Sequence, residues 1–269
     1  TSAPEITLDL LVSNETRRRA YGEGDALVTV LRGINFNPGA DPEDMIAMQV
    51  WATPQIVLTL RRRRLQTPRD VLAELEAGVG PETAGALVAR LMDYLVAKMN
   101  KATVKLNHRI DVLEEEDTSG DWERMLADIA RIRRDCLALK RHMSPQHEAL
   151  QEVAANPPDW MDANDTGEVG ATLDRLRRYL DDLDVSKESA LVLQDDLNNR
   201  ATNRMNRTMY MLSVVAAIFL PLSFLTGLLG INVGGMPGVN SDVAFWITVG
   251  LLTSLLAAQL YVFRILKWL

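Results

Sequence analysis

The chain has 269 residues, a formal net charge of −7 and a pI of about 5.1. That balance excludes nucleic acid as a partner, because binding phosphates takes clustered Lys and Arg. The single Cys136 excludes an intrachain disulfide and fits a reducing cytoplasmic setting.

A mean hydropathy of −0.04 with 24% charged residues looks like a soluble protein. The average hides an uneven chain, because Asp242 is the only charged residue between Arg207 and Arg264. At the start, Thr1 to Leu11 is too polar for a signal peptide and lacks its basic opening, so none is expected. The absence of an initiating Met leads us to expect further residues upstream. The stretches Ala26 to Arg32 and Gln55 to Leu60 are short, β-branched and apolar, and they predict strands. Met45 to Trp51 is a weaker third, and Asn37 to Pro42 a turn. The basic run Arg61 to Arg64 reads as a solvated strand end.

From Thr67 the pattern becomes helical, with Thr67 as a cap and Pro68 at the first helical position. Pro81 to about Glu116 predicts one long helix, broken at Thr118-Ser119-Gly120. Asp121 to about Ala154 predicts the next, closed by Asn156-Pro157-Pro158-Asp159. Residues from about 168 to 231 then read as one continuous helix, on the order of 95 Å long. No compact domain needs such a length, so the helix is expected to run on into a membrane.

Two apolar runs of spanning length, Met209 to Ile231 and Val243 to Phe263, lie at the C-terminal end. Pro221 inside the first is tolerated in a membrane helix. Arg200, Arg204 and Arg207 precede the first run, Arg264 and Lys267 follow the second, and the intervening loop has no basic residue. The positive-inside rule therefore expects both termini in the cytoplasm and the loop outside. Trp246, Tyr261 and Trp268 are placed as interface anchors. The predicted fold class is α+β, with a cytoplasmic α/β domain over 1–167 and the cytoplasmic part of a stalk helix over 168–208. A first span (209–231), an outer loop (232–242), a second span (243–263) and a basic tail (264–269) complete the layout.

The long helix carries a stripe at heptad spacing: Asp195, Thr202, Met209, Ala216 and Ser223, with Asn199, Asn206, Ser213, Leu220 and Gly227 between them. A coiled-coil core would place Leu, Ile or Val there. Two readings compete. Small and polar residues let membrane helices pack closely. Alternatively, several copies of the chain surround an axis and the stripe lines a water-filled path. Two helices per chain cannot enclose a pore, so this second reading requires an oligomer. Met209 and Leu220 would then be hydrophobic constrictions and Asp195 a carboxylate ring that attracts hydrated cations.

The stretch Tyr210-Met-Leu-Ser-Val-Val-Ala-Ala-Ile-Phe-Leu-Pro-Leu-Ser-Phe-Leu-Thr-Gly-Leu-Leu-Gly-Ile-Asn232, with the tail Arg264-Ile-Leu-Lys-Trp-Leu269, resembles the CorA superfamily of metal ion transporters. The likeness is close over the C-terminal part and looser over the strands and long helices. The family's Gly-Met-Asn signature stands here as Gly230-Ile231-Asn232. That change, the following Val233-Gly-Gly-Met-Pro-Gly238, the segment Leu31 to Met45 and the run Arg61 to Arg64 look like the zinc-associated ZntB branch. Gly33-Ile34-Asn35 repeats the tripeptide outside the required context.

The resemblance implies a funnel-shaped homopentamer in the bacterial inner membrane, with the first span lining the pore. It also implies an outer filter of Gly230, Ile231 and Asn232, whose amide oxygens would hold a cation through its hydration shell. Asp242 would raise the local cation concentration, or be a plain surface charge. The transported ion expected is Zn²⁺, with Mg²⁺, Co²⁺ or Ni²⁺ as the alternative. A membrane-anchored coiled-coil scaffold is the alternative of another class.

Zn²⁺ favours Cys, His and carboxylate ligands, which singles out Cys136, His142 and His147. No compact ligand motif joins them, Ser144-Pro145 is expected to perturb the helix between them, and three unrelated side chains is the plainer reading. The acidic groups Asp111, Glu114, Glu115, Glu116 and Asp117, then Asp159, Asp162 and Asp165, then Asp181, Asp182 and Asp184 read as solvated helix ends or sites for regulatory cations. No phosphate loop or nucleophile–base arrangement stands out, so neither an enzyme nor a resident cofactor is expected. The expected partners are further copies of the chain, membrane lipids and metal cations.

Overall fold

The computed structural model describes residues 21–23, 25–41, 43–116, 121–231, 238 and 241–266. Contacts divide the chain into two units, Thr1–Leu197 and Asn198–Leu269.

In the first unit, β1 (Tyr21–Glu23), β2 (Ala26–Gly33), β3 (Ile46–Ala52) and β4 (Val57–Arg61) form an antiparallel sheet in sequence order. The β2–β3 ladder runs from Leu27 opposite Ala52 to Gly33 opposite Ile46. Strand alternation sends Leu27, Leu31, Ile46, Met48, Val50 and Ala52 into the main core. Ala26, Val28 and Trp51 form a small second cluster backed by Leu60. The stretch read as the weakest strand is the best buried one: Met48 is 0% exposed, Val50 1% and Ala52 0%. Packing on both faces, rather than intrinsic preference, decides a strand of this kind.

Between β2 and β3, the Ala40 amide donates to the Asn37 carbonyl at 3.1 Å, with Gly39 at a φ of +76°. Pro38 followed by glycine at positive φ is a type II turn. The expected cap at Thr67 is displaced by one residue. Helix α1 spans Thr67–Glu76, its cap position is Gln66, and no side chain caps it. Thr67 is buried as the first helical residue, so its hydroxyl is drawn inward instead of turning back to the helix end. Gly78, at a φ of +72°, closes α1, with Val79 N–H donating to the Glu74 carbonyl.

Helix α2 (Ala84–Glu115) starts three residues later than the expected Pro81, because Thr83 caps it by accepting from the Ala86 amide at 3.1 Å. Helix α3 (Trp122–Ala155) is capped by Asp121, which accepts from the Arg124 amide. It continues through Pro145, against the expected perturbation. The lost hydrogen bond costs about 3 kcal/mol in isolation. Buried Met143, Gln146 and Leu150 on either side of Pro145 hold the helix, and Gln146 Oε1 accepts from the Arg32 amide at 2.8 Å, tying α3 to β2. Met143 and Leu150, the apolar pair, each contribute roughly 1.5–3 kcal/mol.

Helix α4 (Ala163–Leu229) is continuous for 67 residues. Within the first unit its residues Val169, Leu176, Leu183 and Ala190, ending at Leu197, are buried at every seventh position. This is the seam by which it packs beside α2 and α3. Polar contacts flank the seam. Arg175 pairs with Asp93 at 2.5 Å, Lys140 with Asp184 at 2.6 Å, and Arg133 donates to Gln194 Oε1 at 2.6 Å. At the start of α4 the Asp165 amide donates to Asp162 Oδ1 at 2.7 Å, and the Asp162 amide donates back to Asp165 Oδ2 at 3.3 Å. This is a reciprocal cap. Asp165 is buried against Gly85, where a Cβ would lie 1.9 Å from its Oδ2. Burial pushes the Asp165 carboxyl above the usual carboxylate range; the backbone bond from Asp162 opposes the shift and the Asp162 charge adds to it.

In the second unit, the C-terminal part of α4 and helix α5 (Ala244–Ile265) are each long and apolar enough to cross a membrane. Gln259 of α5 donates from Nε2 to the Ala217 carbonyl of α4 at 3.4 Å. Phe245 and Trp246 meet edge to face with centroids 5.4 Å apart.

Candidate ion pathway

Within the second unit, α4 has two distinct faces. Val214 is buried, and Ala217, Ile218, Leu222 and Leu225 are half-buried on the side that α5 covers. At about 100° per residue, Ser213, Ala216, Leu220, Ser223 and Gly227 fall roughly on the opposite side. All five are exposed, Leu220 to 67%. Thr202, Asn206 and Met209 are exposed on the same helix. The predicted stripe is thus the face of α4 that this chain leaves uncovered in the second unit.

The chemistry of the stripe is acceptor-rich. The Thr202 hydroxyl donates to the Asn198 carbonyl at 2.8 Å and the Ser213 hydroxyl to that of Met209 at 2.9 Å. A hydroxyl that spends its proton on its own helix turns its lone pairs outward, where they can accept from water around a cation. In the first unit Asp195 is exposed, while Leu197, on the other side of the helix, is buried. Asn199 is exposed as well.

At the end of the first span, Gly230 closes α4, its amide donating to the Thr226 carbonyl at 2.9 Å. A Cβ there would lie 3.1 Å from that same oxygen, a close approach that glycine eases. Ile231 is exposed; Asn232 lies outside the described residues, as do Lys267 and Trp268. Asp242 is exposed just before α5.

The other copy of the tripeptide is structural. A Cβ on Gly33 would meet Leu95 Cδ2 at 2.7 Å, and Asn35, buried, accepts from the Asn37 amide at 3.1 Å. The run Arg61 to Arg64 is exposed.

Cys136, His142 and His147 are not brought together. Cys136 is 2% exposed inside the core. Burial, then the nearby Asp135 charge, pushes its thiol up to about 11, so it stays protonated at neutral pH and is a poor metal ligand. His142 faces a cavity of about 410 Å³ lined also by Arg32, Asp44 and Arg63, and His147 is half-buried. Among the described residues no group of three or more His, Cys, Asp and Glu side chains could hold a metal. Of the acidic groups, Asp165 caps α4 and Asp184 pairs with Lys140, while Asp111, Glu114 and Glu115 are exposed.

The family model described as CorA-like Mg2+ transporter protein matches residues 2–264. The chain belongs to the CorA family of divalent cation transporters. It is a transporter family rather than an enzyme family. The chain is 38% identical over 271 residues to the divalent cation transporter CmaX of Pseudomonas aeruginosa, covering 98% of this chain and 80% of that one. It is 31% identical over 266 residues to the zinc transport protein ZntB of Yersinia enterocolitica, covering 99% and 81%. The solved structure of full-length CmaX superposes with a TM-score of 0.85 at 37% identity, covering 100% of this chain and 83% of that one. The sheet followed by long helices and two C-terminal apolar helices is the CorA-family fold, as the sequence resemblance predicted.

Sequence reasoning missed Gln259 and the buried seam of α4. A lone amide in an apolar run was the available signal for the first. For the second it was Val169, Leu176, Leu183, Ala190 and Leu197 at strict seven-residue spacing.

Proposed function

We propose that this CorA-family chain carries Zn²⁺ across the bacterial inner membrane through a path lined by the first span of several copies of itself, five by the family resemblance. The observation that carries the reading is the exposed stripe of Ser213, Ala216, Leu220, Ser223 and Gly227 on the side of α4 away from α5. Serines on an uncovered face of a membrane helix are costly against lipid and useful against water. Copies arranged around an axis cover that face and give the hydroxyls a wet path.

In this reading Asp195 gathers hydrated cations at the cytoplasmic end, with Asn199, Thr202 and Asn206 following it along the path. Met209 and Leu220 are the constrictions, and Gly230, Ile231 and Asn232 form the outer filter. Asp242 concentrates cations at the loop, and both termini lie in the cytoplasm by the basic-residue rule. The boundaries follow as a cytoplasmic domain over 1–167, a stalk over 168–208, spans over 209–231 and 243–263, the loop 232–242 between them and the tail 264–269. Cys136, His142 and His147 have no part in it. Zinc is preferred on Ile231 in the signature and on the named function of the ZntB relative. Mg²⁺ is the second reading, favoured by the description of the family model.

The test is metal flux into liposomes holding the purified full chain, with dyes for Zn²⁺ and Mg²⁺ in parallel and with or without a pH gradient. Zn²⁺ entry with little Mg²⁺ entry is expected. Mg²⁺ entry alone overturns the zinc assignment, and no flux of either ion overturns the path.

A further inference from the structure

Pro221 lies inside α4. Proline has no N–H, so the carbonyl four residues earlier loses its helical donor. That carbonyl belongs to Ala217, and it is the one that Gln259 Nε2 of α5 reaches, at 3.4 Å. The acceptor is a carbonyl, so the NH₂ end of the amide must face it.

Gln259 is the only Asn or Gln of α5. Two threonines nearer its apolar centre are satisfied within the helix. Thr248 donates to the Ala244 carbonyl at 3.0 Å and Thr253 to that of Val249 at 2.8 Å. Gln259 cannot do the same for all its groups. Its Oε1 is buried and without a hydrogen-bond partner among the described residues. Carrying an amide in a span at that cost calls for a return. The return visible here is the carbonyl that Pro221 has opened. Leu220 and Ser223, two members of the exposed stripe, flank that proline in sequence.

We propose that Gln259 is a positioning residue for transport: its amide replaces the hydrogen bond that Pro221 removes and holds the course of α4 through the proline, and so the placement of Leu220 and Ser223. This rests on the reading that α4 lines the ion path. The amide touches no ion; it acts through the helix it holds.

The test is a four-protein cycle in the full chain: wild type, Gln259→Met, Pro221→Ala, and both. Met keeps length and apolar bulk without hydrogen-bonding groups. Pro221→Ala restores the helical donor to the Ala217 carbonyl. Flux is measured with whichever of Zn²⁺ and Mg²⁺ the wild type carries faster, and melting of the same four proteins is followed in detergent.

Gln259→Met is expected to lower maximal flux roughly five-fold, about 1 kcal/mol at 1.4 kcal/mol per tenfold. The concentration giving half-maximal flux should stay unchanged, since no ligand of the ion is lost. In the Pro221→Ala background the same substitution is expected to change flux by less than about two-fold, because the carbonyl already has its donor. The same effect of Gln259→Met in both backgrounds, or no effect in either, overturns the proposal. Non-additive melting with additive flux overturns the positioning role. A wild type without flux refutes the reading of the path instead, and the melting cycle then decides the Gln259–Ala217 contact, additive shifts overturning it.

Discussion

Gly85→Ala isolates the junction where α4 begins. In an ordinary helix this change stabilises by up to about 1 kcal/mol, because Ala loses less backbone freedom than Gly. Here the new Cβ would sit 1.9 Å from Asp165 Oδ2 and 2.9 Å from its Cγ. The Asp165 side chain is short and buried, so it cannot yield by a small swing. It must leave, and the bond from the Asp162 amide goes with it. Loss of a cap costs about 1 kcal/mol and overpacking about 1–3 kcal/mol. The net expectation is a destabilisation of about 1–3 kcal/mol, read as a fall in Tm of roughly 2–4 °C per kcal/mol for a chain of this size. The control is Asp165→Ala, after which the nearest remaining neighbour is Met161 Cα at 3.5 Å, an ordinary contact. In that background Gly85→Ala should be neutral or raise Tm. An equal fall in both backgrounds, measured by thermal melting of the full chain in detergent, would refute the account.

Replacing Asn232 by Ala should abolish ion-selective flux in liposomes while native mass or gel filtration shows an unchanged oligomer; wild-type selectivity would remove the filter assignment. Asp195→Leu should lower flux several-fold, most at low ionic strength where a carboxylate ring is least screened, and unaltered flux would reduce the stripe to a packing surface. The pH dependence of stability should report Glu43. Burial pushes its carboxyl above the usual range, with the Asp135 and Asp41 charges adding to the shift. Its ionised form is therefore disfavoured in the folded chain. That penalty is absent below the unfolded pKa of about 4.3 and complete above the raised folded value. Gln at position 43 escapes it, so Glu43→Gln should raise Tm at neutral pH and match wild type below about pH 4. A constant offset at every pH would place the effect elsewhere.

The apolar runs, the long helix and the exposed stripe were legible in sequence because each rests on periodicity and length, which survive without knowledge of neighbours. Met45 to Trp51 was underrated because its status depends on what covers it, here Leu31 and the long helices on one face and Val28 with Leu60 on the other. Thr67 looked like a cap because local chemistry allows it; burial took it inward. Pro145 looked like a break because its cost is local while its compensation, Gln146 bonded to the Arg32 amide, lies 114 residues away in sequence. Cys136, His142 and His147 are near in sequence with three unrelated side chains as the plainer reading, and their spacing along α3 does not put them on one face.

The seclusion of Cys136 also makes the chain a ready host for spectroscopy. A thiol that is buried and held protonated scarcely reacts with maleimide or methanethiosulfonate reagents at neutral pH. A cysteine introduced at Leu220, Ser223 or Asp242 would then be the only one to accept a spin label or dye, with the native residue left in place. Distances between identical labels would count the copies in the proposed assembly, and the water accessibility of each label would test the proposed path one position at a time.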